Sequence, residues 1–137
     1  MISNVAVSVC ILNYRADELY TKCYKSVMQS SFTDYEIIGV HNSQTNLPGK
    51  IHNHTNLGPA VGLNQGVKMA QGKYVLLLAA DCEIDMYFLA RAYNYMEHNP
   101  KVGILGGKIY EKVVESLRGF SILCMIDSPR YYYLFNV

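Results

Sequence analysis

Lys-Tyr-Val-Leu-Leu-Leu-Ala-Ala-Asp-Cys-Glu, residues 73–83, is an apolar run that ends in a carboxylate. The run is too short to span a bilayer, and it has no alternation of polar and apolar residues. This pattern is typical of a strand that is buried on both faces, as in parallel sheets. A short buried helix is the alternative that periodicity leaves open. Gly72 before the run and the acidic residues after it favour the strand.

Asp81 would lie at the carboxyl end of this strand, where open parallel sheets bind their ligands. A hard divalent cation on phosphate groups typically takes one or two protein carboxylates. Asp81 is therefore a candidate ligand for Mg²⁺ or Mn²⁺. An aspartate after a strand also fits a simpler role as the cap of a turn or of the next helix. The segment alone leaves both roles open.

The chain alternates strands and helices on both sides of this segment. Predicted strands cover residues 5–12, 36–40, 50–53 and 102–106, and predicted helices cover residues 17–29, 59–71 and 85–98. Asp17 is predicted to cap the first helix, and Gly72 to end the second in the left-handed conformation. The order predicts a single α/β domain over residues 1–137, with a mostly parallel sheet. Residues 120–126 fit either a strand or a short helix.

Composition limits the class of function. Half of the 137 residues are hydrophobic, 17% are charged and the net charge is +1. These values exclude a disordered chain and give no sign of a nucleic-acid partner or of an anionic membrane surface. The four cysteines are widely spaced without a Cys-x-x-Cys pair, which favours a reducing compartment. With no signal peptide or transmembrane run visible, the expected location is the cytoplasm, free or at the periphery of a membrane.

Three of the predicted strands end in polar clusters. The clusters are Asn13-Tyr14-Arg15, His41-Asn42-Ser43, and Asp81 with Glu83. Because the carboxyl ends of parallel strands meet at one edge of a sheet, we expect the three clusters to converge. An aromatic ring, amide groups and a carboxylate together suit a base, a ribose and a metal-bridged diphosphate.

Four segments resemble the nucleotide-binding half of family-2-type nucleotide-sugar glycosyltransferases, which have the GT-A fold. They are Val-Ser-Val-Cys-Ile-Leu-Asn-Tyr at 7–14, Glu-Ile-Ile-Gly-Val-His-Asn-Ser at 36–43, Asn-Leu-Gly-Pro-Ala-Val-Gly-Leu-Asn at 56–64 and Gly-Lys-Tyr-Val-Leu-Leu-Leu-Ala-Ala-Asp at 72–81. The resemblance covers residues 5–107. It implies a Rossmann-like GT-A fold with helices on both faces of the sheet, truncated after the nucleotide-binding half.

The resemblance also implies roles for individual residues. The nucleotide-diphosphate sugar would be contacted by Asn13, Tyr14, Arg15, His41, Asn42, Asn64 and Asp81. Tyr14 would flank the base, Asn42 would read it, and Asn64 would line the pocket. Asp81 would coordinate the divalent cation, Mg²⁺ or Mn²⁺, on the diphosphate.

Three positions depart from the pattern of the family. Arg15 stands where Asn is usual, and His41 stands where Asp is usual. Ala80 and its neighbour Ala79 leave the Asp-x-Asp-type motif without its first carboxylate. Arg15 fits either a charge-assisted contact to phosphate or a solvated surface position.

The implied reaction is metal-assisted, inverting transfer of a sugar to an acceptor hydroxyl on a glycan, lipid or protein. In the family, the general base comes from the half that follows the metal motif. We nominate no catalytic base here, since Asp127 fits a turn before Pro129 equally well. The alternative is a catalytically inactive nucleotide-sugar-binding or interaction module, whose apolar tail, residues 120–135, would mediate self-association or bind a partner.

Other kinds of site have less support. His52 and His54 would share one face of a strand, and His41 or Cys82 would complete a zinc site, but no second closely spaced ligand pair is present. No Gly-x-Gly-x-x-Gly follows the first strand, which argues against a dinucleotide fold. No nucleophile elbow surrounds a serine or a cysteine.

Overall fold

The computed structural model describes residues 5–108 and 123–127, which form one sheet with helices on both of its faces. In chain order the elements are β1 Val7–Asn13, α1 Asp17–Met28, β2 Tyr35–His41, β3 Ile51–His52, α2 Gly58–Met69, β4 Tyr74–Ala79, α3 Phe88–His98, β5 Ile104–Gly106 and β6 Leu123–Asp127. The order of strands and helices predicted up to residue 106 is confirmed.

The order of strands across the sheet is β3-β2-β1-β4-β6-β5. The first four of these strands are parallel to one another, as predicted. β6 is antiparallel to both of its neighbours and lies between β4 and β5. Residues 123–127 therefore form a strand rather than the short helix that the sequence left open.

Both faces of the sheet are buried, which explains why β4 is apolar without interruption. Leu76 and Leu78 pack with α1 and α3, whereas Val75 and Leu77 pack with α2 on the opposite face. All four side chains are almost completely buried. Burial of an aliphatic side chain of this size contributes about 1.5–3 kcal/mol relative to exposure. The core therefore has two layers, one on each side of the sheet.

The start of α1 differs from the prediction. The N-cap position is Ala16, and no side chain forms a cap hydrogen bond there; Asp17 is already the first helical residue. The side-chain oxygen Oδ1 of Asn13, at the end of β1, accepts from the backbone N–H of Ala16 at 3.1 Å. The carboxylate of Asp17 instead accepts hydrogen bonds from Asn13 and Thr45. The predicted capping role of Asp17 is therefore wrong.

The predicted role of Gly72 is also wrong. α2 ends at Met69, and the residue that follows, Ala70, has an extended backbone. Among the glycines of the described residues, the one with a positive φ is Gly58. This position requires glycine because there is no room for a side chain: a Cβ at residue 72 would lie 2.5 Å from the backbone nitrogen of Ser8 in β1.

Several predictions concern residues outside the described part of the chain. These are the strand and loop expected after Lys108, and the apolar tail with its possible partners, apart from the backbone of residues 123–127. Within residues 5–108 and 123–127, none of the helices has the length and apolar character needed to cross a membrane.

Candidate functional site

The three polar clusters converge at the carboxyl edge of the parallel strands, as predicted. In the sheet register Asn13 of β1 pairs with His41 of β2. On the other side Leu12 pairs with Ala79 of β4, and the N–H of Ala80 donates to the carbonyl of Leu12 at 3.0 Å. Asp81 follows one residue later, so all three clusters lie at the same edge of the sheet, at the ends of neighbouring strands.

Asn13 and His41 are fully buried and hydrogen-bonded to each other. The Nδ2 atom of Asn13 lies 3.0 Å from Nδ1 of His41 and also donates to Oδ1 of Asp17 at 3.0 Å. The second ring nitrogen of His41, Nε2, lies 3.1 Å from the carbonyl oxygen of Pro48. A direct contact of either residue with a ligand would require these bonds to open.

The partners of His41 determine which ring nitrogen carries the proton. A carboxamide nitrogen can only donate, so Nδ1 of His41 accepts from Asn13, and Nε2 carries the hydrogen that Pro48 accepts. Burial lowers the pKa of His41 and His52 lowers it further, which outweighs the opposite effects of the Pro48 carbonyl and Asp17. The ring is packed between His52 and Tyr20, with centroid distances of 4.8 and 4.6 Å. His41 is therefore held in its neutral form.

Asn42 is the start of a chain of side-chain amides that joins β2, β3 and α2. It is 2% exposed, its Nδ2 donates to the carbonyl of Gly58 at 3.0 Å, and its Oδ1 accepts from Asn53 at 2.8 Å. Asn53 in turn donates to Gln65 at 2.8 Å. Sequence reasoning missed Asn53 and Gln65, because bonds between residues 11 and 12 positions apart leave no local pattern. Asn64, beside Gln65 on α2, is partly buried.

Two exposed residues follow β1 at this edge. Tyr14 is 44% exposed, and the guanidinium carbon of Arg15 lies 5.3 Å from the centroid of its ring. Arg15 has a φ of 50°, the only positive value of a non-glycine residue in the described part of the chain. Its backbone N–H donates to Oγ of Ser43 at 3.2 Å. The left-handed conformation costs about 1–2 kcal/mol for a residue other than glycine. A functional role of the arginine side chain is one reason why a protein retains such a residue at this position.

Asp81 provides an exposed carboxylate directly after β4. The thiol of Cys82 donates to its Oδ1 at 3.8 Å. In the described ranges no three His, Cys, Asp or Glu side chains are placed to hold a metal together, so the zinc site is not formed there. A Mg²⁺-type cation that shares phosphate oxygens needs only one or two carboxylates. Asp81 therefore fits a cation that binds together with a diphosphate.

Asp127 lies far from this site. In the antiparallel pairing of β4 with β6, Asp127 is opposite Tyr74, at the amino end of β4. Asp81 follows the opposite end of β4, and the five residue steps from Tyr74 to Ala79 span about 17 Å along the strand. The backbone position of Asp127 is thus at the edge of the sheet opposite the carboxyl ends of the parallel strands.

Comparison with known proteins identifies relatives of one type. The model of glycosyl transferase family 2 matches residues 8–134. A poly(ribitol-phosphate) beta-glucosyltransferase of Bacillus spizizenii is 28% identical over 117 residues, which make up 73% of this chain and 18% of the relative. An uncharacterised glycosyltransferase of Methanocaldococcus jannaschii is 28% identical over 120 residues, or 76% and 41% of the two chains. The chain spans less than half the length of either relative.

Solved structures confirm the fold. S. aureus TarS 1-349 in complex with UDP matches with a TM-score of 0.75 and 18% identity over 90% of this chain and 47% of that chain. The mannosyltransferase PcManGT from Pyrobaculum calidifontis, in complex with GDP-Man and Mn²⁺, matches with a TM-score of 0.65 and 19% identity over 74% and 34%. At these identities the likeness establishes the Rossmann-like GT-A fold alone.

Proposed function

This chain belongs to glycosyl transferase family 2, and on that premise we propose that its carboxyl sheet edge binds a nucleotide-diphosphate sugar for transfer to an acceptor hydroxyl. The observation that carries the proposal is the meeting of the ends of β1, β2 and β4 at this edge, with Tyr14, Arg15 and Asp81 exposed there. The similar structures that contain UDP or GDP-Man with Mn²⁺ support it.

The exposed and the buried residues have different roles in this proposal. Tyr14 stacks on the base, and Arg15 donates charge-assisted hydrogen bonds to the diphosphate. Asn13 and His41, whose polar atoms are occupied within the protein, position the residues that follow β1 instead of contacting the nucleotide. Asn64 lines the part of the pocket next to α2, and Asn42, whose side-chain amide is likewise hydrogen-bonded within the protein, positions this part of the pocket instead of reading the base.

Asp81 is the proposed metal ligand and would hold Mg²⁺ or Mn²⁺ for a bound diphosphate. Such a cation stabilises the negative charge that develops on the leaving diphosphate. Arg15 supplies a second positive charge at the same edge, which is relevant because Ala80 provides no carboxylate. The acceptor is the hydroxyl of a glycan, lipid or protein, and inversion at the anomeric carbon is what membership of the family implies.

The proposal is tested by calorimetric titration of UDP, GDP, UDP-GlcNAc and GDP-Man, with Mn²⁺ and with a chelator. We expect Tyr14→Ala to lower the affinity for a free nucleotide and for its sugar derivative by a similar factor, because the ring contacts the base, which both compounds contain. Stacking of a base on an aromatic ring contributes about 1–3 kcal/mol, so the loss should be at least about fivefold.

Tyr95→Ala is the matched control, because Tyr95 is 49% exposed but lies on α3, away from this edge. It should leave all affinities unchanged. A loss confined to the sugar-bearing ligands would mean that Tyr14 contacts the sugar and that the proposed orientation is wrong. If none of the four compounds binds to the wild-type protein, the proposed function itself is wrong.

Arg15→Gly is expected to raise stability while it weakens binding. Glycine adopts a positive φ without strain, so the free energy of unfolding should rise by up to about 1 kcal/mol after the entropic cost of glycine. Loss of the guanidinium should lower the affinity for UDP-GlcNAc or GDP-Man by about tenfold, which corresponds to the loss of one charge-assisted hydrogen bond. Chemical denaturation and calorimetry measure the two effects. Arg15→Lys keeps both the positive charge and the strained backbone, so it should show neither the gain in stability nor the full loss of affinity expected for Arg15→Gly. An unchanged affinity in Arg15→Gly would mean that Arg15 does not contact the ligand.

A further inference from the structure

His41, the last residue of β2, is buried behind the proposed nucleotide site. We infer that neutral His41 is a positioning residue for nucleotide binding. It holds Asn13, and through Asn13 it holds residues 14–16, called here the edge loop. Protonation of the ring would release this loop. The inference rests on the proposed function for its effect on affinity, but its effect on the edge loop does not depend on a ligand.

Asn13, which precedes the edge loop, holds its C-terminal end. Its Oδ1 accepts from the N–H of Ala16 at 3.1 Å, and its Nδ2 donates to Asp17 at 3.0 Å. The remaining hydrogen of Nδ2 points to Nδ1 of His41 at 3.0 Å. The far end of the loop that carries Tyr14 and Arg15 is therefore fastened by this carboxamide, next to the bond from the Arg15 N–H to Ser43, and the orientation of the carboxamide depends on a lone pair on His41.

Protonation of His41 would bring two donors face to face. The Nδ1–H of an imidazolium and the Nδ2–H of Asn13 would be 3.0 Å apart with no acceptor between them. A flip of the Asn13 amide does not solve this, because it would turn Oδ1 towards the carboxylate of Asp17 and Nδ2 towards the N–H of Ala16. Asn13 would have to move, and the edge loop would move with it.

The groups that face His41 favour the neutral ring overall. From α1, the carboxylate of Asp17 lies nearby but is hydrogen-bonded to Asn13 and Thr45, and Tyr20 packs against the ring as a neutral phenol. From β3, His52 stacks on the ring and would repel a second positive charge. The carbonyl of Pro48 accepts from Nε2 in either state. The pKa of His41 is lowered mainly by burial, so the ring becomes charged only below the ordinary range of histidine.

The affinity test uses UDP-GlcNAc and GDP-Man with Mg²⁺, because both phosphates of these compounds are esterified and neither has the second ionisation near pH 6 of a terminal phosphate. We expect the wild-type affinity to fall as the pH is lowered from 7.5, by about twofold at the midpoint of the His41 titration and by more below it, in proportion to the fraction of competent protein. His41→Asn keeps an acceptor for Asn13 but binds no proton, so the affinity of this variant should change by less than about twofold over the same pH range. His54→Asn, an exposed histidine just after β3, should behave as the wild type.

A second measurement needs no ligand and no variant. In an NMR titration of the wild-type protein, the backbone amides of Arg15 and Ala16 and the side-chain amide of Asn13 should shift with the same midpoint as the His41 ring. The inference is overturned if these resonances do not follow the ring, or if His41→Asn retains the pH dependence of the affinity. If neither nucleotide sugar binds at any pH, the proposed function fails, and the NMR titration alone decides whether His41 positions the edge loop.

Discussion

Replacing Gly72 with alanine is expected to lower the free energy of unfolding by about 3 kcal/mol, the upper part of the range for overpacked sites. The added Cβ would lie 2.5 Å from the nitrogen of Ser8 and 2.8 Å from the carbonyl carbon of Val7. Both atoms belong to the backbone of β1, which is paired with β2 on one side and with β4 on the other. Because β1 cannot move away without breaking these ladders, the strain remains in the folded state.

The clash would also disturb a group of hydrogen bonds at the amino edge of the sheet. The N–H of Gly72 donates to Oγ of Ser8 at 2.8 Å, and the N–H of Gln71 donates to Glu36 at 3.0 Å. Ser8 itself donates to Glu36 at 2.7 Å, and Lys50 forms an ion pair with the same carboxylate. Burial alone would raise the pKa of Glu36, but these hydrogen bonds outweigh it and lower the pKa. Displacement of residues 71 and 72 would leave part of this network unsatisfied.

Gly106→Ala is the matched control for this prediction. Gly106 lies in β5, and a Cβ there would meet no atom within 4 Å. Urea denaturation followed by circular dichroism gives the free energy of unfolding of both variants. If Gly72→Ala is as stable as Gly106→Ala to within about 0.5 kcal/mol, β1 yields more easily than its pairing indicates, and the explanation for Gly72 is wrong.

The sequence was sufficient to predict the central strands and the helices that cover them. The residues of β4 and most of those in β1 are apolar because both faces are covered, and such runs are visible in any single sequence. The position of β6 was not predictable in this way. β6 pairs with β4, and more than forty residues separate the two strands in the sequence. A pairing between strands so far apart in the chain leaves no periodic signal in either of them.

The convergence of the polar clusters was predicted, but the hydrogen bonds among them were not. The strand ends that carry Asn13, His41 and Asp81 converge because parallel strands require it. The resemblance to the family implied that Asn13, His41 and Asn42 contact the ligand, and it carried no information about their burial. Their burial follows from hydrogen bonds such as that between Asn13 and His41, 28 residues apart, which only the folded chain brings together. The same limitation explains the errors at Asp17 and Gly72.

Asp81→Asn is expected to remove the metal dependence of nucleotide binding and to leave the fold intact. Asp81 is exposed after β4, so the change should alter the free energy of unfolding by no more than about 0.5 kcal/mol. Its effect on the affinity for UDP-GlcNAc or GDP-Man with Mn²⁺ should be far larger. Loss of an outer-shell partner of a metal already costs about 10- to 100-fold in affinity, so loss of the proposed ligand itself should cost about 100-fold.

Glu83→Gln is the matched control, since Glu83 is an exposed carboxylate two residues further along the chain and its replacement removes the same charge. If the cation is held by a defined contact with Asp81, Glu83→Gln should bind with nearly wild-type affinity and should still lose that affinity in a chelator. An equal loss in both variants would mean that the edge acts only through its net negative charge. Equal affinity of the wild-type protein with Mn²⁺ and with a chelator would contradict a metal role for Asp81 altogether. In that case Arg15 would neutralise the diphosphate at this edge without a cation, and Arg15→Gly should then weaken nucleotide-sugar binding by more than the tenfold expected above.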